Sequence, residues 1–112
     1  MMRVYLAEDL PPECCRRLTA FLRERNYASA VDGLYWLPVP ESLWTPLQRE
    51  HAARCGPYAV SLEIGEDFLR LELLVRARNR LHCACIEPAD SPTRQALIDR
   101  LEELIAQCDL PH

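Results

Sequence analysis

The most constraining feature of the sequence is a run of alternating apolar and polar residues that begins at Tyr58. The apolar side chains of this run are spaced two apart, at Tyr58, Val60, Leu62 and Ile64. Because successive side chains of a strand point to opposite faces, the pattern predicts a strand at residues 58–64 with one buried face. Gly65-Glu66 suits a two-residue type II′ turn, so a second strand, at residues 68–77, is expected to fold back with Leu69 opposite Leu62.

The short sequence LHCACI, residues 81–86, continues the alternation and predicts a third strand. A loop at residues 78–80 pairs Val75 with Cys83 and Leu73 with Cys85. In this register both cysteines face the core, because register is set by the buried face of a sheet. The sequence therefore predicts an antiparallel three-stranded meander at 58–64, 68–77 and 81–86.

Three helices are predicted around this meander. The first opens at Pro11-Pro12, the second has a capping box from Thr45 to Gln48 and ends at Gly56-Pro57, and the third is capped by Ser91 with Pro92 at its first position. Extended segments at 3–7 and 33–40 give the order β-α-β-α-β-β-β-α. We expect a single α+β domain, 1–112, that forms a two-layer sandwich with the helices packed on one face of the sheet.

Composition excludes several functions. All 13 basic residues are arginine, which is a poor nucleophile or general base, and the three glycines are widely separated. Schiff-base chemistry and a phosphate-binding P-loop are therefore excluded. A net charge of −4 argues against nucleic-acid binding, and no apolar run approaches the ~20 residues that span a bilayer. Since the N-terminus has no apolar export signal, we expect a cytoplasmic protein with reduced cysteines.

Four residues form a candidate metal site: His51, Cys55, Cys83 and Cys85. His51 and Cys55 are four apart on a helix, and the other two are two apart on a strand, so each pair shares a side. Thiolates and imidazole are the ligands of tetrahedral zinc. Against the site, the predicted sheet places the two pairs two strands apart, roughly 9–10 Å, and free cysteine often packs as a small buried hydrophobe.

An interaction surface is the other candidate. The expected register places Leu74, Ala84 and Ile86 side by side on the outer face of the sheet, where Trp36 is able to join them. An apolar patch on an uncovered sheet invites a partner, although the aromatic residues are equally able to belong to the core. The first hypothesis is a small protein-interaction or accessory module that self-associates, without a cofactor. The alternative is a zinc-binding domain, and a small enzyme with no assigned catalytic residue comes third.

The segments GLYWLPVP (33–40) and CGPYAVSLEIGEDFLRLELLVRARNRLHC (55–83), together with the capped last helix, resemble a small uncharacterised bacterial protein family. The resemblance covers most of the chain. It implies no activity, cofactor or partner, and so it assigns no role to any residue.

Overall fold

The computed structural model of the chain describes residues 2–109, which form six strands and three α-helices. The strands are β1 (Val4–Ala7), β2 (Leu34–Pro38), β3 (Tyr58–Ile64), β4 (Leu69–Glu72), β5 (Leu74–Ala77) and β6 (Glu87–Pro88). The α-helices are α1 (Pro12–Glu24), α2 (Pro46–Cys55) and α3 (Ser91–Asp109), and a 3₁₀ turn covers Glu41–Leu43.

The strands form one antiparallel sheet with β3 at its centre. β2 pairs with one edge of β3, while β4 and β5 pair in succession with the other edge. β1 lies outside β4, and the short β6 lies outside β5. An antiparallel sheet combined with three helices confirms the α+β class predicted from the sequence.

The hydrophobic core lies between one face of this sheet and the helices. Its most deeply buried members come from both layers: Val60, Leu62, Leu69, Leu71, Leu22, Leu97 and Leu101. α2 is joined to the same face because the Tyr58 hydroxyl donates a hydrogen bond of 2.7 Å to the Gln48 carbonyl. On the other face Trp36, Ser61 and Arg76 remain partly exposed. The helices therefore cover one face, as predicted, and leave the other open.

The first hairpin has a different register from the predicted one. Ile64 pairs with Leu69 and Leu62 pairs with Leu71, whereas Leu62 was expected opposite Leu69. Residues 65–68 connect the two strands, and the Gly65 N–H donates to the Phe68 carbonyl, so the chain reverses at Glu66-Asp67 instead of at Gly65-Glu66. A shift of two residues keeps every side chain on its face, and the predicted core residues stay buried.

The predicted third strand at 81–86 is wrong, and the predicted strand 68–77 is interrupted at Leu73. Residues 78–86 form a loop, and only β6 pairs with β5, through Val75 with Glu87 and Leu74 with Pro88. The Ile86 N–H donates to the Cys83 carbonyl, which turns the chain back on itself. Because backbone groups in this segment are used in a turn, they cannot also form a ladder with β5.

Helix starts follow the sequence in one case and differ in another. The capping box of α2 is confirmed, since the Thr45 hydroxyl accepts from the Gln48 N–H and the Gln48 side chain accepts from the Thr45 N–H. At α3 the side chain of Asp90, not that of Ser91, accepts from the Thr93 N–H.

Among the described residues, no helix combines the length and apolar character that crossing a membrane requires.

Cysteine pairing also differs from the expectation of six reduced thiols. Cys14 of α1 and Cys108 of α3 form a disulfide, with their Cα atoms 5.2 Å apart. The expectation is therefore wrong for this pair. The remaining cysteines are free thiols, namely Cys15, Cys55, Cys83 and Cys85.

Candidate metal centre

Helix α2 supplies two of the four candidate ligands. His51 lies one turn before Cys55, the last residue of the helix, so both side chains leave the same side. The chain turns sharply after Cys55, and a Cβ on Gly56 would lie 2.9 Å from the Ala52 carbonyl oxygen. A side chain at position 56 would clash there, so glycine fits the position that directly follows Cys55.

The other two ligands come from the loop at residues 78–86, which we name the cysteine loop. Hydrogen bonds connect this loop to α2. The Asn79 N–H donates to the Cys55 carbonyl over 3.0 Å. Further along the loop, the amide of Gln48, which is only 3% exposed, donates to the Cys85 carbonyl over 3.2 Å. These bonds at the two ends of the loop hold Cys83 and Cys85 against the helix.

The four ligand atoms converge on one point. The Sγ atoms of Cys83, Cys85 and Cys55 and a ring nitrogen of His51 all lie within 4.8 Å of one another. His51 Nδ1 is 3.1 Å from Cys83 Sγ, and the sulfurs of Cys55 and Cys83 are 3.7 Å apart. Zinc with bonds of ~2.3 Å to sulfur and ~2.0 Å to nitrogen places its tetrahedral ligands about 3.5–3.8 Å apart. The group therefore needs only small side-chain movements to reach tetrahedral geometry.

The electrostatics of the group favour one thiolate. The backbone N–H of Cys85 donates to the Cys83 sulfur and, with the side chains of Cys85 and His51, lowers the pKa of Cys83 to about 6. Burial raises the pKa of Cys85 to about 11, with a further contribution from neighbouring Cys83. Burial also raises the pKa of nearby Tyr58. Of these two thiols, Cys83 is therefore the one that ionises more readily.

The structure brings together all four residues of the predicted metal site, although by a route that the sequence did not suggest. The predicted separation of two strands does not arise, because Cys83 and Cys85 lie on a loop that folds back to α2. His82, between Leu81 and Cys83, is exposed and is not a member of the group.

Only two of the four predicted interface residues lie on the same cleft. Trp36 and Ile86 line the same cleft on the open face of the sheet. Leu74 is half-buried and Ala84 is exposed, and neither lines that cleft. The four residues therefore do not form the continuous patch that the predicted third strand implied.

Sequence reasoning missed the role of Gln48. The capping box identified its side chain as an acceptor for the Thr45 N–H, and the structure shows that the same amide also donates to Cys85. Thr45 extends this connection, because its hydroxyl is 3.1 Å from the Glu87 carboxylate beyond the cysteine loop. No local pattern signals these bonds, since they join residues about 40 positions apart.

Comparison of this chain with known protein families, with curated proteins and with solved structures finds no match.

Proposed function

We propose that the protein is a small zinc-binding domain in which His51, Cys55, Cys83 and Cys85 hold one zinc ion. The single observation that supports this proposal is the convergence of the four ligand atoms within 4.8 Å of one another. One nitrogen and three sulfurs make a donor set that suits zinc, since thiolates and imidazole are ligands that this ion prefers.

The proposed zinc has a structural role instead of a catalytic one. Four protein ligands fill a tetrahedral shell, whereas catalytic zinc keeps a position for water or substrate. The ion joins α2 to the loop at residues 78–86, and it adds to two hydrogen bonds between them, from the Asn79 N–H to the Cys55 carbonyl and from the Gln48 amide to the Cys85 carbonyl. Its contribution is therefore to fix this loop, which also forms one side of the cleft on the open face of the sheet. The cytoplasm is the proposed location because the site requires thiolates, which a reducing compartment maintains; the Cys14–Cys108 disulfide argues in the opposite direction.

Metal content of the protein purified without chelator tests the proposal. We expect about one zinc per chain, because a closed site with three thiolates binds the ion tightly. His51→Asn and Cys85→Ser are expected to reduce zinc content substantially, and chelator treatment is expected to expose Cys55, Cys83 and Cys85 to thiol reagents. Absence of zinc after growth and reconstitution with excess metal contradicts the proposal.

The chain offers matched controls for both variants. His82→Asn changes a histidine that is exposed and outside the group, and Cys15→Ser changes a buried free thiol in α1. Both controls should retain about one zinc per chain. Equal loss of zinc from His51→Asn and His82→Asn would show that the four-residue group is not the site.

Self-association through the open sheet face stays a prediction. Trp36 and Ile86 lie on one cleft there, which is the observation in its favour. Light scattering on the intact chain tests it: a dimer that Ile86→Glu converts to a monomer supports self-association, while a monomeric wild type opposes it.

A further inference from the structure

The open face of the sheet carries a cleft that the metal site does not use. We name it the open-face cleft; it has a volume of about 830 Å³ and lies between the segment 28–34 and the segment 76–81. Trp36 and Ser61 contribute to it from β2 and β3, and Ile86 contributes from the cysteine loop. Small-molecule sites typically occupy about 300–1,000 Å³, so the size fits a small ligand better than a flat protein contact.

One wall of the open-face cleft is cationic. Arg76, Arg78 and Arg80 alternate along the end of β5 and the turn after it, and all three line the cleft. Glu72 neutralises Arg76, with contacts of 2.8 and 3.4 Å. Across residues 2–109, neither Arg78 nor Arg80 forms an ion pair with a carboxylate. In a chain of net charge −4, this wall is therefore a local concentration of positive charge.

A planar surface adjoins these charges. The Arg78 guanidinium lies over the Trp36 ring, 4.9 Å from the ring centre, in a cation–π contact. A stacked guanidinium keeps its outward N–H donors, and its fork matches the two oxygens of a carboxylate or the oxygens of a sulfonate. The stack thus offers an anion contact beside an aromatic face.

The rims of the open-face cleft are apolar. Among the described residues only four large hydrophobic side chains are strongly exposed, and two of them, Val31 and Leu81, line this cleft. Leu81 is 87% exposed. They come from opposite walls of the cleft, 28–34 and 76–81, so an apolar ligand body lying between them would remove both from water.

From this arrangement we propose that the open-face cleft binds a small organic acid whose carboxylate or sulfonate contacts Arg78 and Arg80 and whose apolar body lies between Val31 and Leu81. The positive wall requires the negative charge, and the exposed apolar rims require the apolar body. The proposal goes beyond zinc binding, since none of the four metal-site residues lines the cleft.

Two matched fluorescent probes test this proposal on the full chain as purified. 8-Anilinonaphthalene-1-sulfonate carries the anion and an aromatic body, and N-phenyl-1-naphthylamine has the same body without the charge. We expect the sulfonate to bind about 10-fold more tightly than the neutral probe, because two arginines contact only the former. Trp44→Phe leaves Trp36 as the only tryptophan, so energy transfer from Trp36 to the probe locates the bound molecule.

Variants separate the charge from the apolar body. The double variant Arg78→Gln/Arg80→Gln is expected to weaken sulfonate binding about 10-fold and to leave the neutral probe unchanged. Leu81→Ser should weaken both probes. The control Arg23→Gln/Arg100→Gln removes the same charge from exposed positions on α1 and α3 and should change neither. Competition by 2-naphthoate, a carboxylate on a similar body, should displace the sulfonate.

Several results would overturn the proposal. Equal affinity for the two probes would show that the arginines make no anion site. Sulfonate binding that is unchanged in Arg78→Gln/Arg80→Gln, or equally weakened in Arg23→Gln/Arg100→Gln, would show the same. A dimer that buries Trp36 and excludes both probes would assign the open-face cleft to a second copy of the chain instead.

Discussion

Gln48 connects the capping box of α2 to the cysteine loop, and its replacement by leucine isolates that connection. The side chain is 3% exposed, and its amide accepts from the Thr45 N–H at 2.9 Å and donates to the Cys85 carbonyl at 3.2 Å. Leucine has a similar size and fills the same space, but it satisfies neither backbone group. Gln48→Leu therefore removes two hydrogen bonds with little change in packing.

The expected loss of stability is the sum of the costs of leaving the Thr45 N–H and the Cys85 carbonyl without their hydrogen-bond partner. The Thr45 N–H lies at a partly exposed helix start, so loss of its partner costs about 1 kcal/mol. The carbonyl of buried Cys85 has less access to water, and leaving it unsatisfied costs about 1–3 kcal/mol. The free energy of unfolding should fall by about 2–4 kcal/mol, which lowers the melting temperature by roughly 10–20 °C in a domain of this size.

Thermal and guanidinium unfolding, followed by circular dichroism, measures this loss. Gln95→Leu is the matched control, because Gln95 is exposed and its amide donates only to the Asp99 carboxylate. The control should change stability by less than about 0.5 kcal/mol. Zinc affinity gives a second measurement: Gln48→Leu frees the Cys85 loop and should weaken zinc binding about 10–100-fold, the range for residues that position metal ligands.

Two results would contradict the role assigned to Gln48. If Gln48→Leu is within about 0.5 kcal/mol of the wild type, the two hydrogen bonds do not hold the loop to α2. If Gln48→Leu is destabilised but binds zinc as tightly as the wild type, the Gln48 amide supports the fold alone and does not position the cysteine ligand.

Three further predictions concern other parts of the chain. In metal-free protein, alkylation of Cys83 should rise with pH about a midpoint near 6, because its pKa is lowered to about 6. The stabilisation that this lowering gives should be present in full above the ordinary thiol pKa of 9.0 and should be lost as the pH falls from there to about 6. Asp90→Ala, measured by urea unfolding, should cost about 1 kcal/mol, since its carboxylate caps α3 at the Thr93 N–H. Leu101→Ala should cost about 2–5 kcal/mol in the same assay because Leu101 is fully buried, whereas exposed Leu81→Ala should cost little.

Much of the fold is readable from the sequence, because its elements carry local signals. The alternation from Tyr58 predicts β3, since a half-buried strand repeats every two residues. The capping box predicts the start of α2 because it joins two residues only three positions apart, Thr45 and Gln48. The hairpin register was missed because a glycine at position 65 is compatible with a reversal at Gly65-Glu66 and with the observed one at Glu66-Asp67.

The sequence identifies the four residues of the candidate site, but it does not predict where in the fold two of them lie. The spacings of His51 with Cys55 and of Cys83 with Cys85 identify two pairs that share a side, and the structure unites them. The alternation in LHCACI suggested a strand, but the segment folds back to α2, where the Gln48 amide donates a hydrogen bond to the Cys85 carbonyl. A hydrogen bond between such distant positions does not affect the local hydrophobic pattern, so the path of this loop could not be predicted from that pattern.

X-ray absorption at the zinc edge is the most direct test of the proposed site at His51, Cys55, Cys83 and Cys85, because it reports the atoms bound to the metal. We expect a four-coordinate shell of three sulfurs at ~2.3 Å and one nitrogen at ~2.0 Å in the zinc-loaded protein. Cys85→Ser should remove one sulfur from that shell, while Cys15→Ser should leave it unchanged. A shell made only of oxygen and nitrogen, or a protein that retains no zinc, would show that these four residues do not hold zinc.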